Sequence, residues 1–313
     1  MTEREGVCHS EGRWDRVEAL ILPIISKTSE ILPKKAEKLL LLSWEVVEID
    51  MTLAISAMNR LQSLRFLRIN QMPSTDLVTL TQDLCLPNLF LLSIISSVSY
   101  YELERLNALA EIPPPVGRNH FPKLERMEIR SYYPNKAWPY LEWFILSSGP
   151  TLRELVLQLY WRDEDKELPN YYNLIKKLPY LVLFGTNHDG IVSNRDYPSL
   201  DAEASLSTLS TLLITEPPTI LSDEYITGLR SVVLGLRVEK LIFFETWLGL
   251  QGQWQNRPGR GYLSKVLSGF IETQLEIQDI DGVLISGEFL KWLNFSWEDS
   301  RVDDDDNDDD ALE

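Results

Sequence analysis

The chain has 313 residues, 44% of them hydrophobic, and a net charge of -17 at pH 7; that is apolar material for one long repeat core or two ordinary domains, and it argues against nucleic acid, which needs clustered Lys and Arg. Two cysteines, Cys8 and Cys85, are too few for a disulfide framework and show no paired metal-ligand spacing, so a reducing compartment is expected. The charged start Met1-Thr2-Glu3-Arg4 and the lack of any eighteen-residue apolar run predict neither a signal peptide nor a membrane helix, and hence a cytoplasmic or nuclear protein with no membrane partner.

Along the chain, apolar residues recur as apolar-x-x-apolar-x-x-apolar-x-apolar. In order, the frames are Trp14, Val17, Leu20, Leu22; Pro33, Ala36, Leu39, Leu41; Leu61, Leu64, Leu67, Ile69; Leu86, Leu89, Leu92, Ile94; and Phe121, Leu124, Met127, Ile129. They continue with Leu152, Leu155, Leu157; Leu178, Leu181, Phe184; Leu206, Leu209, Leu212, Ile214; and two poor copies, Val238, Leu241, Phe243 and Leu275, Ile277. Frame starts at 14, 33, 61, 86, 121, 149, 178, 206, 235 and 269 put six of nine spacings between 25 and 29 residues, within the leucine-rich-repeat range. Each frame predicts a turn followed by a short strand whose alternate residues point inward.

The segments between frames read as helical return limbs. Asp76–Leu84, behind the cap candidates Ser74 and Thr75, aligns Leu77, Leu80 and Leu84 on one face, and Glu102–Leu109 aligns Leu103, Leu106 and Leu109. Trp138–Leu146, Tyr171–Leu178, Asp223–Val233 and Tyr262–Ile271 are similar, and Trp138, Tyr140 and Trp143 are expected in the core. The predicted fold class is therefore α/β: a leucine-rich-repeat-like solenoid (horseshoe) with a parallel sheet and irregular helical return limbs. The asparagine or cysteine that commonly follows the strand in such repeats has no regular counterpart.

The expected organisation is an N-terminal extension over 1–13, a solenoid of about ten irregular repeats over 14–297, and a disordered acidic tail over 298–313. From Glu298 to Glu313 there are ten acids and one arginine, a net of -9, which leaves -8 for the body.

Outward-facing positions flank the third apolar residue of each frame, and ten strands about 4.8 Å apart would form a ladder of roughly 45 Å, long enough for a peptide or a domain face. They are Ala19 and Ile21, Lys38 and Leu40, Phe66 and Arg68, Leu91 and Ser93, Arg126 and Glu128, Glu154 and Val156, Leu183 and Gly185, Thr211 and Leu213, Lys240 and Ile242, Gln274 and Glu276. The partner-binding candidates are Phe66, Arg68, Arg126, Glu128, Arg130, Glu154 and Gln158, with Tyr132, Tyr133, Tyr160 and Trp161 at the strand ends. Aromatic and arginine residues dominate interface hot spots because they combine large area with a polar end. The competing reading is a solvated charged face with the aromatics packed under neighbouring loops.

No catalytic or metal-ligating constellation emerges, and no cofactor is expected. His9, His120 and His188 are far apart in sequence, and Asn187-His188-Asp189-Gly190 reads as a turn after a strand. Pro258-Gly259-Arg260-Gly261 lacks the third glycine and lysine of a phosphate loop, and Asp279-Ile280-Asp281-Gly282 fails the spacing of a calcium loop. An enzyme would need a pocket built by insertions, such as Ile112–His120 with its run Pro113, Pro114 and Pro115. The expectation is a monomeric, non-catalytic module that binds another protein. The alternative is an acidic-tailed leucine-rich protein that binds basic partners such as histones.

Cys8-His9-Ser10-Glu11-Gly12-Arg13-Trp14 followed by Val17-Glu18-Ala19-Leu20, together with Leu86-Pro87-Asn88-Leu89, Phe121-Pro122-Lys123-Leu124-Glu125 and Leu152-Arg153-Glu154-Leu155, resembles the leucine-rich-repeat region of fungal F-box-like proteins. The likeness covers roughly residues 9 to 280 through short, degenerate motifs. It implies repeats that present targets to a ubiquitin-ligase core. Nine residues before Ser10 are too few for the F-box itself, so the resemblance implies the target-binding half alone, whether in a truncated chain, a degenerate paralogue or a stand-alone repeat protein.

Overall fold

The computed structural model describes residues 18–22, 38–45, 51–73, 80, 83–97, 121–132, 138–148, 150–160, 171–193, 208–217, 222–247, 249–250 and 275–285. The chain divides into two compact units, Met1–Leu152 and Arg153–Glu313. The first contains β1 (Ala19–Leu22), β2 (Leu41–Glu45), α1 (Met51–Met58), β3 (Phe66–Pro73), β4 (Leu91–Ser97), β5 (Arg126–Tyr132) and α2 (Trp138–Ser147). The second contains β6 (Glu154–Tyr160), α3 (Tyr171–Lys176), β7 (Leu183–Asn187), α4 (His188–Ser193), β8 (Thr211–Glu216), α5 (Asp223–Leu236), β9 (Lys240–Phe243) and β10 (Glu276–Gln278). Within each unit, consecutive strands pair in parallel in chain order. Parallel neighbours joined by return limbs, advancing one strand per repeat, make this an α/β leucine-rich-repeat-like solenoid.

Strand register follows the inward apolar row. In the first unit Leu20, Leu42, Leu67, Leu92 and Met127 stand level, and Trp44, Ile69, Ile94 and Ile129 form a second row. Leu155, Phe184, Leu212, Leu241 and Ile277 repeat the arrangement in the second unit. Apart from half-buried Leu20, these side chains are almost wholly buried. Each such burial favours folding by about 1.5–3 kcal/mol, and a one-residue slip would turn every one of them outward.

The turn before each strand also repeats. The backbone N–H of Leu64 donates to Leu61 O at 3.0 Å, Leu89 to Leu86 at 3.1 Å, Leu124 to Phe121 at 3.1 Å and Leu181 to Leu178 at 3.2 Å, so Leu-x-x-Leu closes a turn with both leucines inward. One residue before the second leucine, a polar side chain ties the turn to the preceding repeat. Ser63 Oγ donates to Leu39 O at 3.0 Å, Asn88 Nδ2 to Gln62 O at 2.9 Å, and Thr208 Oγ1 to Leu181 O at 2.9 Å. Lys123, at the same place, donates to Asn88 Oδ1 at 2.7 Å.

The helices at Trp138, Tyr171 and Asp223 form as the apolar spacing predicts. Ser222 caps α5, its Oγ accepting from Tyr225 N at 3.2 Å. The face of α2 that enters the core is Leu141, Phe144 and Ile145, whereas Trp138 and Trp143 are half-buried, because the i, i+3, i+4 stripe runs through the aliphatic positions. Of Asp76–Leu84, Leu80 and Leu84 are buried as expected. Most of that segment, and all of Glu102–Leu109 and Tyr262–Ile271, lie outside the described residues, as do 1–13 and 298–313.

Two frames and two helices differ from the sequence reading. In β2 the inward residues are Leu42 and Trp44, three positions beyond the expected pair Leu39 and Leu41, so Leu41 and Ser43 face outward in place of Lys38 and Leu40. The run Leu39-Leu40-Leu41-Leu42 fits several frames, and burial of the large Trp44 selects one. In β10 Ile277 takes the third position and Asp279 the fourth, so Glu276 and Gln278 face outward; Gln274 lies outside the described residues. Helix α1 had no sequence expectation, and the expected turn at His188 opens α4 instead.

Asp279 has a structural use. It is buried, and its carboxylate accepts from the backbone N–H groups of Val283 at 2.7 Å, Asp281 at 3.1 Å and Trp247 at 3.2 Å, which gives the buried oxygens hydrogen-bond partners. Gly282, at φ 78°, completes the turn, and Ile285 N donates to Ile277 O at 2.9 Å. The returning chain thereby bridges antiparallel to β10, Leu284 opposite Gln278.

Candidate functional site

In the first unit the outward row one residue before the Leu67 row is Ala19, Leu41, Phe66, Leu91 and Arg126, and the outward row one residue after it is Ile21, Ser43, Arg68, Ser93 and Glu128. At the strand starts, backbone bonds align Leu40, Arg65, Phe90 and Glu125: Arg65 N donates to Leu40 O at 2.9 Å, Phe90 N to Arg65 O at 2.8 Å, and Glu125 N to Phe90 O at 3.0 Å. Large apolar surface is left open here. Leu41, Phe66 and Phe90 expose 36%, 38% and 40% of their area, and Ile21 exposes 74%. The Phe66 and Phe90 rings meet edge to face with centroids 6.1 Å apart, a geometry that pre-orders both.

Two exposed arginines border these rings. Arg65 directly precedes Phe66, and Arg68 follows two residues later on the same face. Arg68 Nε donates to Asn70 Oδ1 at 3.0 Å, which holds the guanidinium along the strand. Neither arginine forms an ion pair among the described residues. Arg126 differs. Its Nε and one Nη donate to the same oxygen of Glu128, Oε1, at 2.9 and 2.5 Å, so this outward cation is already matched within β5. The pair is partly exposed, which limits it to about 0–1 kcal/mol. Arg130 lies half-buried on β5 opposite Ile95.

The second unit closes one outward row, although Val182 at the strand start exposes 38%. Val156, Gly185 and Leu213 are register partners, and Val156 and Leu213 expose only 8% and 9%. A Cβ on Gly185 would stand 3.0 to 3.3 Å from the Val156 side chain, so Val156 fills the space that a larger residue would occupy. Lys240 Nζ lies 3.0 Å from Glu276 Oε1. Glu154 and Gln158 are half-buried, and the Tyr160 hydroxyl donates to Glu216 Oε2 at 2.5 Å.

The candidates from sequence thus separate. Phe66 and Arg68 are exposed on one strand; Arg126, Glu128 and Arg130 share β5, and Glu154, Gln158 and Tyr160 share β6. Tyr132 ends β5, while Tyr133 and Trp161 lie outside the described residues. Sequence reasoning missed Leu41, through the frame slip, and Arg65 and Phe90, because it considered only the positions beside the third apolar residue. The signal was present in Leu64-Arg65-Phe66-Leu67 and Leu89-Phe90-Leu91-Leu92, where both residues between two inward leucines are large.

The Asn187 side chain performs at one repeat the task of the missing asparagine. It donates from Nδ2 to Leu159 O at 3.1 Å and accepts at Oδ1 from Gly190 N at 3.3 Å, joining β6 to the start of α4. His188 stacks on Tyr225 with ring centroids 5.3 Å apart. His9, His120, Pro258–Gly261 and Ile112–His120 lie outside the described residues. Among the described residues, no three His, Cys, Asp or Glu side chains come together as a metal site, and no helix is long and apolar enough to cross a membrane. No protein-family model matches the chain, and no curated protein matches it.

Proposed function

We propose that this protein is a non-catalytic protein-binding module that engages its partner through the outward faces of its parallel strands. The reading is supported above all by the open apolar surface at Leu41, Phe66 and Phe90, in a fold whose core is already filled from the other side of the same strands. Exposed aromatic residues beside arginines fit the composition of interface hot spots. The resemblance of the repeats to the target-binding region of fungal F-box-like proteins points the same way, toward an adaptor that presents a target. The run Asp303–Asp310 supports a second reading, an acidic-tailed protein that binds basic partners such as histones.

Affinity purification from the native cell separates the two. The baits are the full chain, the chain ending at Trp297, a Phe66→Ala/Arg68→Ala variant and an Arg126→Ala/Arg130→Ala variant. Partners that survive loss of the tail and disappear with an outward-face variant support sheet-face binding. Partners that follow the tail and fade with salt support the acidic reading, and the repeats are then scaffold.

A further inference from the structure

We infer that the outward face of β2–β4 takes an acidic, apolar-anchored segment of the partner, one that places a large aliphatic or aromatic side chain between carboxylates. This rests on the protein-binding reading above and specifies its chemistry. Leu41 and Phe66 occupy neighbouring rungs about 4.8 Å apart, and Phe90 meets Phe66 edge to face, so the three form one apolar floor. A single leucine-sized or phenylalanine-sized side chain covers such a floor.

Charge decides what flanks it. On β5 and β9 the outward cations Arg126 and Lys240 are matched inside the protein, by Glu128 and Glu276. Arg65 and Arg68, on either side of Phe66, are exposed and have no such counter-ion among the described residues. Asn70 takes the Nε of Arg68, which leaves the two Nη groups as the donors for a carboxylate, a group that arginine binds through two parallel hydrogen bonds. The net charge of -17 does not cancel this local preference, since charges beyond about 8 Å are largely screened at physiological ionic strength. It does disfavour a polyphosphate chain, which would need many cations along its track.

The test uses the full chain and fluorescently labelled peptides of equal length. One places Leu and Phe among Asp and Glu, a second places the same apolar residues among Lys, and a third keeps the acids but replaces the apolar residues by Ser. The first is expected to bind at least about tenfold more tightly than either other peptide, a gap equivalent to one strong charge-assisted contact or one apolar anchor. Arg65→Glu/Arg68→Glu is expected to reverse the preference between the first two peptides, and Phe66→Ser to weaken the first while leaving its salt dependence. Arg65→Gln/Arg68→Gln and a thermal melt of each variant separate lost binding from lost folding.

Equal binding of the acidic and basic peptides, an unchanged affinity after charge reversal, or equal competition by a single-stranded oligonucleotide overturns the inference. So does self-association of the chain that Phe66→Ser abolishes, because a second copy would then be the occupant. If native partners vanish with the Phe66→Ala/Arg68→Ala bait while the peptides show no charge preference, sheet-face binding stands and the acidic-segment class fails. If the partners ignore the outward-face variants, the protein-binding reading itself fails.

Discussion

The two units use the same inward register but finish their outward faces differently. In the first, Ile21 and Arg68 stand open, with Ser93 buried beside Arg68, in the row where the second places Val156 and Leu213, both nearly buried. A glycine accounts for part of this contrast: Gly185 leaves room that the Val156 side chain takes. In the first unit the equivalent places hold Ser43, Arg68 and Ser93, with no glycine among them. One strand register can thus support a more closed outward row or a more open one.

The largest expected effects lie where the units agree. Leu92→Ala in the first and Leu212→Ala in the second remove wholly buried side chains from equivalent inward rows, and each is expected to cost about 2–5 kcal/mol in chemical denaturation. A loss far smaller in one unit would show that the two inward rows are not equivalent. Gly190→Ala comes next. Its Cβ would stand 2.0 Å from Thr186 Oγ1 and 2.9 Å from Tyr171 Cε2, both on buried side chains, so a loss of about 2–3 kcal/mol is expected. Wild-type stability in that variant would mean that the wall around α4 yields more than its burial implies.

The outward faces themselves are compared by a pair of substitutions. Leu213→Ser is expected to cost about 2 kcal/mol because it empties a sealed position, whereas Phe66→Ser should change stability by less than about 1 kcal/mol. Equal losses would erase the distinction between a closed and an open face.

The smallest effect concerns Tyr225, whose hydroxyl is buried with no hydrogen-bond partner among the described residues. Burial pushes its phenol above the ordinary range, so the folded protein keeps the proton where the unfolded chain releases it. Stability from this group is full below about pH 10 and falls as pH rises further. Tyr225→Phe should therefore be neutral or stabilising by about 1 kcal/mol near neutrality and should flatten the alkaline decline. A clear loss at neutral pH would reveal a hydrogen bond to that hydroxyl.

Eight of the ten strand frames were legible in the sequence because the inward side chains must alternate along a strand and recur once per repeat. Leu39–Leu42 defeated that logic, since four consecutive leucines satisfy several frames, and only the depth available to Trp44 distinguishes them. Asp279 defeated it in the opposite way: a charged residue holds an inward position because three backbone N–H groups converge on it. The Asn187 bridge was read as a turn, because its acceptor, Leu159 O, lies 28 residues away and becomes a neighbour only once β6 and β7 pair.

The candidate site divides along the same line. Residue type and spacing in the sequence determined the repeat, the inward rows and the outward placement of Phe66 and Arg68, because strand alternation is a local property of the backbone. Tertiary structure decided which outward residues remain available. Exposure depends on neighbours about 25 to 35 positions away, one repeat along the chain. Packing of that kind buries Val156 and Leu213, while a shorter-range pairing with Glu128, two residues along the same strand, neutralises Arg126. By contrast, Leu41, Arg65, Phe66, Arg68 and Phe90 remain open on their side of the strands.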